Sequence, residues 1–292
     1  MNFEFLESFR IFAKTLNFTH AAAERHVSQP ALHKQIQILA DSLEVQLYER
    51  RGRTLTLTAA GVKLARFAHE MRDRVQQLRV QLVDGDQGAL VTLAAGRGSA
   101  MYLLGEALQQ FGKQFPNSAR VITTNQPQTL AAIRSGEAHI GVTVLTEPPS
   151  DLNATLLHQL TPRLIVPKKH ALAAKKFVRL KSLDGLPLIC PPPPSPMRAT
   201  IASWFELEGL RFNPVMDAEG WDLLMHYASL GFGAAIVNGC CRPPDRTAAV
   251  RLPDLPKTRY YLISHRDEFQ FPQLQALRNA ILQNARHVKL FD

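Results

Sequence analysis

Between Thr19 and Lys34 the chain reads Thr-His-Ala-Ala-Ala-Glu-Arg-His-Val-Ser-Gln-Pro-Ala-Leu-His-Lys. This pattern is a short helix, a tight turn and a second helix opened by Ser28. Leu32, Ile36, Leu39 and Leu43 recur at helical period and define one buried stripe. Gln29, Pro30, His33, Lys34 and Gln37 fall on the opposite side, which carries amide, imidazole and ammonium groups but no carboxylate. Such a face suits the major groove of double-stranded DNA. Gln pairs with an adenine edge, His donates or accepts, and Lys neutralises a phosphate.

The flanks agree with this reading. A first helix is expected over Phe3–Leu16, with Phe5, Phe9, Phe12 and Leu16 facing inward. Thr19 reads as the N-cap of the next helix, and Ala21, Ala22 and Ala23 let two helices cross closely. Pro30 is tolerated after the Ser28 cap because first-turn amides have no partner within the helix. Segments 46–50 and 53–57 then read as two short strands around Arg51-Gly52, with Arg50, Arg51 and Arg53 at the tip. A hairpin just past a recognition helix is a wing, and its arginines are placed for phosphates or a minor groove. Taken alone, the helices fit an ordinary packed hairpin and the arginines a solvated turn.

Thr58 reads as the cap of a long helix over 59–83. Leu64, Ala68, Met71, Val75, Leu78 and Leu82 are spaced 4, 3, 4, 3 and 4 residues apart along it. That heptad seam predicts pairing between two subunits, packing against its own domain being the alternative. Asp84-Gly85-Asp86-Gln87-Gly88 has the composition of a hinge. The expected units are a winged helix-turn-helix at 1–58, a linker and dimerisation helix with hinge at 59–88, and an effector-binding unit at 89–292.

Composition sets limits. A chain of 292 residues with 46% hydrophobic content holds more than one core. The net charge of +9 divides into +4 over residues 1–83 and +5 beyond, so the case for DNA rests on placement of charge and not on its total. No apolar run approaches the roughly 20 residues of a membrane helix, and the start of the chain is unlike a signal peptide; a cytoplasmic protein is expected. Cys190, Cys240 and Cys241 lack zinc spacing, and no metal or cofactor is expected. Buried reduced thiols are the plain reading, a redox switch the alternative.

Beyond the hinge the period changes. Strands are expected at 90–95, 119–124, 138–145, 164–166, 186–190 and 260–264, and helices at 100–115, 127–135, 197–208, 221–229 and 272–288. Alternating β and α units imply parallel sheets with right-handed crossovers. Gly96-Arg97-Gly98-Ser99 stands at a strand-to-helix junction, where Ser99 caps a helix and Arg97 adds a cation. Ala100 follows it, and loops after other strands supply Thr124, Asn125 and Thr146. Pro194-Ser195-Pro196-Met197 precedes a helix in the second half of the unit. As a set, Arg97, Gly98, Ser99, Ala100, Thr124, Asn125, Thr146, Pro196 and Met197 predict a small-molecule cleft with a preference for a carboxylate, although each alone fits an ordinary cap or turn. Gly96-Arg97-Gly98 is no dinucleotide fingerprint, because Met101 stands where its third glycine belongs.

The blocks Phe18-Thr19-His20-Ala21-Ala22, Ser28-Gln29-Pro30-Ala31-Leu32, Gln35-Ile36, Leu47-Tyr48-Glu49-Arg50-Arg51-Gly52-Arg53 and Leu57-Thr58-Ala59-Ala60-Gly61 resemble the DNA-binding region of LysR-type transcriptional regulators. The resemblance extends over nearly the whole chain. It implies a winged helix-turn-helix, a linker helix, and a two-lobed α/β effector domain like the type II periplasmic-binding-protein fold. Lobe one would be 89–161 with 266–292, and lobe two 162–265. It implies a ligand-responsive transcription factor that binds dyad operator DNA as a homodimer or homotetramer, takes a small effector between its lobes, and has RNA polymerase as a further candidate partner. Peroxide-sensing members use two well-separated cysteines, a pattern Cys190 and Cys240 match only if folding brings them together. Three departures stand out: His33 where Ser is common, Ala40 where Glu is common, and Glu44 where a helix-ending Gly is common. A transport binding protein would need export. An enzyme would need a nucleophile–base set or metal constellation, and none is evident. An architectural DNA protein would not need some two hundred residues of α/β lobes.

Overall fold

The computed structural model describes residues 2–52, 54–84, 89–268 and 270–287, with the side chains of residues 51, 76–84, 196 and 287 outside that description. Helix α1 spans Phe3–Thr15, α2 spans Phe18–Arg25 and α3 spans Gln29–Ser42. The cap of α2 is Asn17, not Thr19. Its side chain accepts the amides of Thr19 and His20 at 3.0 and 3.1 Å, as expected where the stronger capping residue comes first. Ser28 caps α3 by accepting the Ala31 amide at 3.3 Å, and Pro30 lies in the first turn.

Leu32, Ile36 and Leu39 are buried as their spacing predicts, but Leu43 is exposed at the helix end. There Glu44 adopts φ +53°, the left-handed geometry that favours glycine. The Glu44 amide reaches the Asp41 carbonyl at 3.1 Å and the Val45 amide the Ala40 carbonyl at 3.2 Å. That is a Schellman ending, so the helix terminates as it would with glycine, at a backbone cost of about 1 kcal/mol.

Strands β1 (Tyr48–Arg51) and β2 (Thr54–Leu57) form the wing, paired antiparallel from Tyr48↔Leu57 to Arg51↔Thr54. The Thr58 hydroxyl donates to the Gln46 carbonyl at 2.6 Å and accepts the Gly61 amide at 3.0 Å. It thereby ties the wing to the start of α4 (Ala59–Asp84). Phe9, Phe12, Leu32, Ile36, Leu39 and Leu47 close one core with Ala21, Ala22 and two residues of α4, Ala65 and Ala68. Ala23 faces solvent.

The first half of the linker seam is therefore engaged within its own chain. Ala68 is buried there, and Leu64 and Met71 pack against the same core, because α4 crosses α1. Val75 is half-buried. Leu78 and Leu82, like most of the expected hinge, lie outside the described side chains.

The effector unit has two five-stranded sheets. The first has the order β4-β3-β5-β12-β6, from β3 (Val91–Ala95), β4 (Ala119–Thr123), β5 (Ile140–Val144), β6 (Leu152–Leu160) and β12 (Thr258–His265). The second has the order β11-β7-β10-β8-β9, from β7 (Arg163–Pro167), β8 (Pro187–Cys190), β9 (Asn213–Asp217), β10 (Ala234–Val237) and β11 (Thr247–Arg251). Both are mixed and not purely parallel: β12 runs antiparallel to β5 and β6, and β7 antiparallel to β10 and β11.

Because β12 completes the first sheet, the chain returns to lobe one at residue 258 and not at 266. Helices α5 (Arg97–Tyr102), α6 (Gly105–Gln114), α7 (Gln126–Ser135) and α10 (Pro272–His287) belong to lobe one, and α8 (Pro196–Leu207) and α9 (Trp221–Ser229) to lobe two. The helix expected over 100–115 is thus two, separated at Leu103-Leu104. Strands β6, β9, β10 and β11 carry no clear signal in the sequence. No described helix is long and apolar enough to cross a membrane.

The close packing around α4 can be tested at two of its residues. A methyl group at Gly61 would overlap the Leu47 carbonyl oxygen. Gly61→Ala should therefore destabilise the winged-helix domain by about 2–4 kcal/mol in denaturant melts, where a glycine-to-alanine change inside a helix ordinarily stabilises by about 1 kcal/mol.

His69, 3% exposed, is held down at about 3 by burial and then by the Arg10 and Arg72 charges. The neutral imidazole is the folded form, so its contribution is present above the unfolded value near 6.5 and is lost as pH falls through and below it. Between pH 7 and pH 5 the parent chain should lose about 2 kcal/mol more stability than His69→Gln. Parallel pH profiles for the two proteins would refute this.

Candidate nucleic-acid interface and effector cleft

Gln29, Pro30, His33 and Lys34 are exposed along one side of α3, and two of them are held by neighbours. The Thr19 hydroxyl donates to Gln29 Oε1 at 3.2 Å, which fixes the amide plane and leaves a lone pair and the NH2 group facing out. Thr19 thus touches the recognition helix and does not cap α2. His33 Nε2 lies 3.2 Å from the Tyr48 hydroxyl, and its ring packs on Phe18 at 5.0 Å. Tyr48, absent from the sequence-based set, thus ties the recognition helix to the wing. Arg50 Nε donates to the Gly52 carbonyl at 3.1 Å across the wing turn. The Arg51 side chain and Arg53 lie outside the described residues.

Between the lobes is a cleft of about 570 Å³. Lobe one contributes Gly96 to Ser99, Met101 and Tyr102, then Thr124 to Pro127 beyond β4, Thr143 and Val144 of β5, and Tyr260 of β12. Lobe two contributes Ser195 and Met197 at the start of α8, Gly220 to Asp222 at the start of α9, and Asn238 just past β10. Of the expected residues, Arg97, Gly98, Ser99, Thr124, Asn125 and Met197 line the wall.

Two do not. Ala100 packs into the lobe-one core, and Thr146 is exposed past the end of β5. The Pro196 side chain lies outside the described residues. Nor does Ser99 cap α5, whose N-cap is Gly96 without a side-chain bond. Trp221-Asp222 directly after Gly220 is a readable helix-start signal, whereas Tyr102, Thr143 and Tyr260 depend on which strands and helices meet.

The cleft is aromatic, with few charges. The Trp221 indole N–H points to Met197 Sδ at 3.4 Å. Its ring lies over Gly98 so closely that a side chain at that position would overlap it, which is a direct reason for glycine there. Arg97 Nη2 meets Asp222 Oδ2 at 3.0 Å across the mouth; both groups are partly solvated, so the pair adds little stability. Burial first, then nearby Cys241 and Asp222, push the Tyr102 hydroxyl up to about 12, so it stays a neutral donor. Thr129 donates to the Asn125 carbonyl at 2.9 Å and stands 2.7 Å from the Thr124 hydroxyl. Thr124 then donates to Thr129 and faces the cleft as an acceptor. At the hinge, Asn238 donates to the Tyr260 hydroxyl at 2.6 Å and accepts from Thr258 at 3.1 Å, binding the lobes together.

The three cysteines are buried and free. Cys190 faces the outer core of lobe two and is pushed up to about 11 by burial. Cys240 and Cys241 sit in the inter-lobe core on the other side of that sheet, and burial raises Cys241 as well. Folding therefore separates Cys190 from Cys240.

A winged helix-turn-helix with its reading face free, joined by a long helix to a two-lobed domain with an open cleft, defines a ligand-responsive DNA-binding regulator. Residues 3–62 match the model of the bacterial regulatory helix-turn-helix protein, lysR family, and residues 84–286 match that of the LysR substrate binding domain. The chain belongs to the LysR family of transcriptional regulators.

Among relatives, the HTH-type transcriptional regulator CysB of Burkholderia cenocepacia is 30% identical over 246 residues, covering 82% of this chain and 78% of its own length. The regulator SsuR of the same organism is 28% identical over 253 residues, 84% of this chain and 82% of its own length. Among solved structures, a full-length OxyR variant of Pseudomonas aeruginosa superposes with TM-score 0.66 at 18% identity over 99% of this chain and 96% of its own. Full-length CbnR in complex with its target DNA does so with TM-score 0.54 at 22% identity over 98% and 100%.

Proposed function

We propose that the regulator reads DNA with Gln29, His33 and Lys34 of α3, with Thr19 and Tyr48 fixing two of those side chains and Arg50, Arg51 and Arg53 of the wing reaching the flanking backbone. The observation that carries this reading is the pre-set pair of contacts, Thr19 to Gln29 and Tyr48 to His33. Holding polar head groups outward before DNA arrives lowers the ordering cost of a base contact. CbnR, a protein of this fold, is described in complex with its target DNA. Two copies of the chain would meet two half-sites of a dyad. Pairing then falls to exposed positions of α4 such as Val62 and Phe67, together with the later seam positions Val75, Leu78 and Leu82.

Selection from a random duplex pool should return a two-fold symmetric site. Gln29→Ala should relax the base preference while changing the salt dependence little. Lys34→Ala should lower the slope of log K against log salt by about 1. An unchanged slope would mean that Lys34 makes no phosphate contact.

The effector reading is a small carboxylate-bearing metabolite with an apolar body. Arg97 is the one cation among the described residues that line the cleft, and its partner Asp222 belongs to the opposite lobe. An incoming carboxylate would replace Asp222 on Arg97 while Trp221, Tyr102 and Met197 cover the remainder. Ligand binding would thus exchange an inter-lobe contact for a ligand contact, a means of shifting lobe closure. Calorimetric titration with a panel of aromatic and aliphatic acids should give binding that Arg97→Gln weakens by about 10-fold or more. Binding confined to neutral or cationic compounds would overturn the assignment.

A further inference from the structure

We propose that α7 is the lever that carries the state of the effector cleft to the DNA-binding unit, through a seat in which Gly136 at its C-terminal end rests on Arg66 and His69 of α4. The proposal rests on the reading of the cleft as the effector site and adds the route by which that site acts.

The N-terminal end of α7 belongs to the cleft. Asn125 caps the helix in a reciprocal box with Gln128, each side chain accepting the other's amide at 3.0 Å. Asn125, Gln126 and Pro127 all line the cleft wall. The hydroxyl chain from Thr124 through Thr129 to the Asn125 carbonyl joins the end of β4 to the first turn of α7. A ligand cannot press on this corner without moving the helix. Ten residues at about 1.5 Å each give a rod about 15 Å long, short enough to move as one body.

The C-terminal end is fitted to the linker helix. Gly136 has φ +76°, and a Cβ there would stand 3.2 Å from His69 Cβ and 3.3 Å from the Arg66 carbonyl oxygen. A side chain at that seat would require the neighbouring atoms of α4 to give by a few tenths of an ångström, on top of the strain of its positive φ. Next to it, His139 accepts the Thr92 amide on Nδ1 at 2.9 Å, which leaves its Nε2 proton for Asp73 of α4 at 3.1 Å. Lys14 of α1 faces Glu137 at 3.7 Å. His69 itself belongs to the winged-helix side and is buried, its Nδ1 lacking a partner among the described residues.

Coupling between two sites is reciprocal, so DNA must act on the cleft as the cleft acts on DNA. Trp204 and Trp221 are the two tryptophans of the chain, and Trp221 forms part of the cleft. In the full chain carrying Trp204→Phe, indole emission reports the cleft alone. Saturation with a duplex selected from a random pool should shift the Trp221 emission maximum or change its acrylamide quenching by at least about 1.5-fold.

Gly136→Ala, which wedges the seat, should reduce that response at least about fivefold while duplex affinity stays within about threefold. Asp73→Asn, which weakens the flanking bond without adding bulk, should reduce it in part and serves as the readout should Gly136→Ala not fold. A chain that binds duplex with a silent Trp221 overturns the proposal and leaves the DNA-reading assignment standing. A response undiminished in both variants also overturns it. Failure to bind any duplex at low salt is the separate result that defeats the regulator reading itself.

Discussion

Phe12 stacks on Phe18 at 4.3 Å and meets the edge of Tyr48 at 5.2 Å, while Phe18 in turn holds the His33 ring at 5.0 Å. These four rings come from α1, α2, the wing and the recognition helix, so one aromatic cluster fixes the relative placement of every element that faces DNA. Rings of this kind combine large apolar area with preferred geometry. The Tyr48 hydroxyl is the polar exit from the cluster, and it lands on His33. Removing the cluster would leave the exposed face of α3 chemically unchanged but without a defined angle to the wing.

The same economy of elements appears in α4. Its first turn is locked to the wing by Thr58 and by the close fit of Gly61 on Leu47. Its next turns supply Ala65 and Ala68 to the winged-helix core. On another face it receives lobe one, at Gly136 and His139. A helix in contact with three bodies cannot shift for one of them without being felt by the others, since packed interfaces have few alternative arrangements.

Much of the DNA-binding half is readable in the sequence because its signals are local. Cap, proline and periodicity sit within one or two turns of the residues they govern, so Ser28, Pro30, Leu32, Ile36 and Leu39 fall where spacing puts them. The misplacements have local causes too: Asn17 outcompetes Thr19 as a cap, and Glu44 adopts a glycine-like backbone. The seam misleads for a different reason. A 4-3 pattern reports that one stripe of a helix is buried and says nothing about which partner buries it. In the effector half, helices with capping residues are legible and short buried strands such as β10 are not, since four apolar residues carry no period. The cleft wall is half legible. Gly98 and Asn125 mark helix starts, while Tyr260 and Asn238 meet only because the chain crosses between lobes twice.

That double crossing also bears on how a signal can leave the cleft. Asn238 and Thr258 clamp the crossing point through Tyr260, which is fully buried in a core shared by both lobes. A clamped hinge restricts lobe motion to rotation about itself, and the displacement grows with distance from it. The Arg97–Asp222 contact joins the two lobes at a partly solvated position, so a change in that pairing bears on the same rotation. The corner at Thr124 and Asn125 lies on the lobe-one side of the cleft, and α7 runs from it to Arg66 and His69 of the linker helix. On the proposed route, a change in charge pairing between the lobes reaches the helix on which the DNA-reading domain is built through a short chain of packed elements.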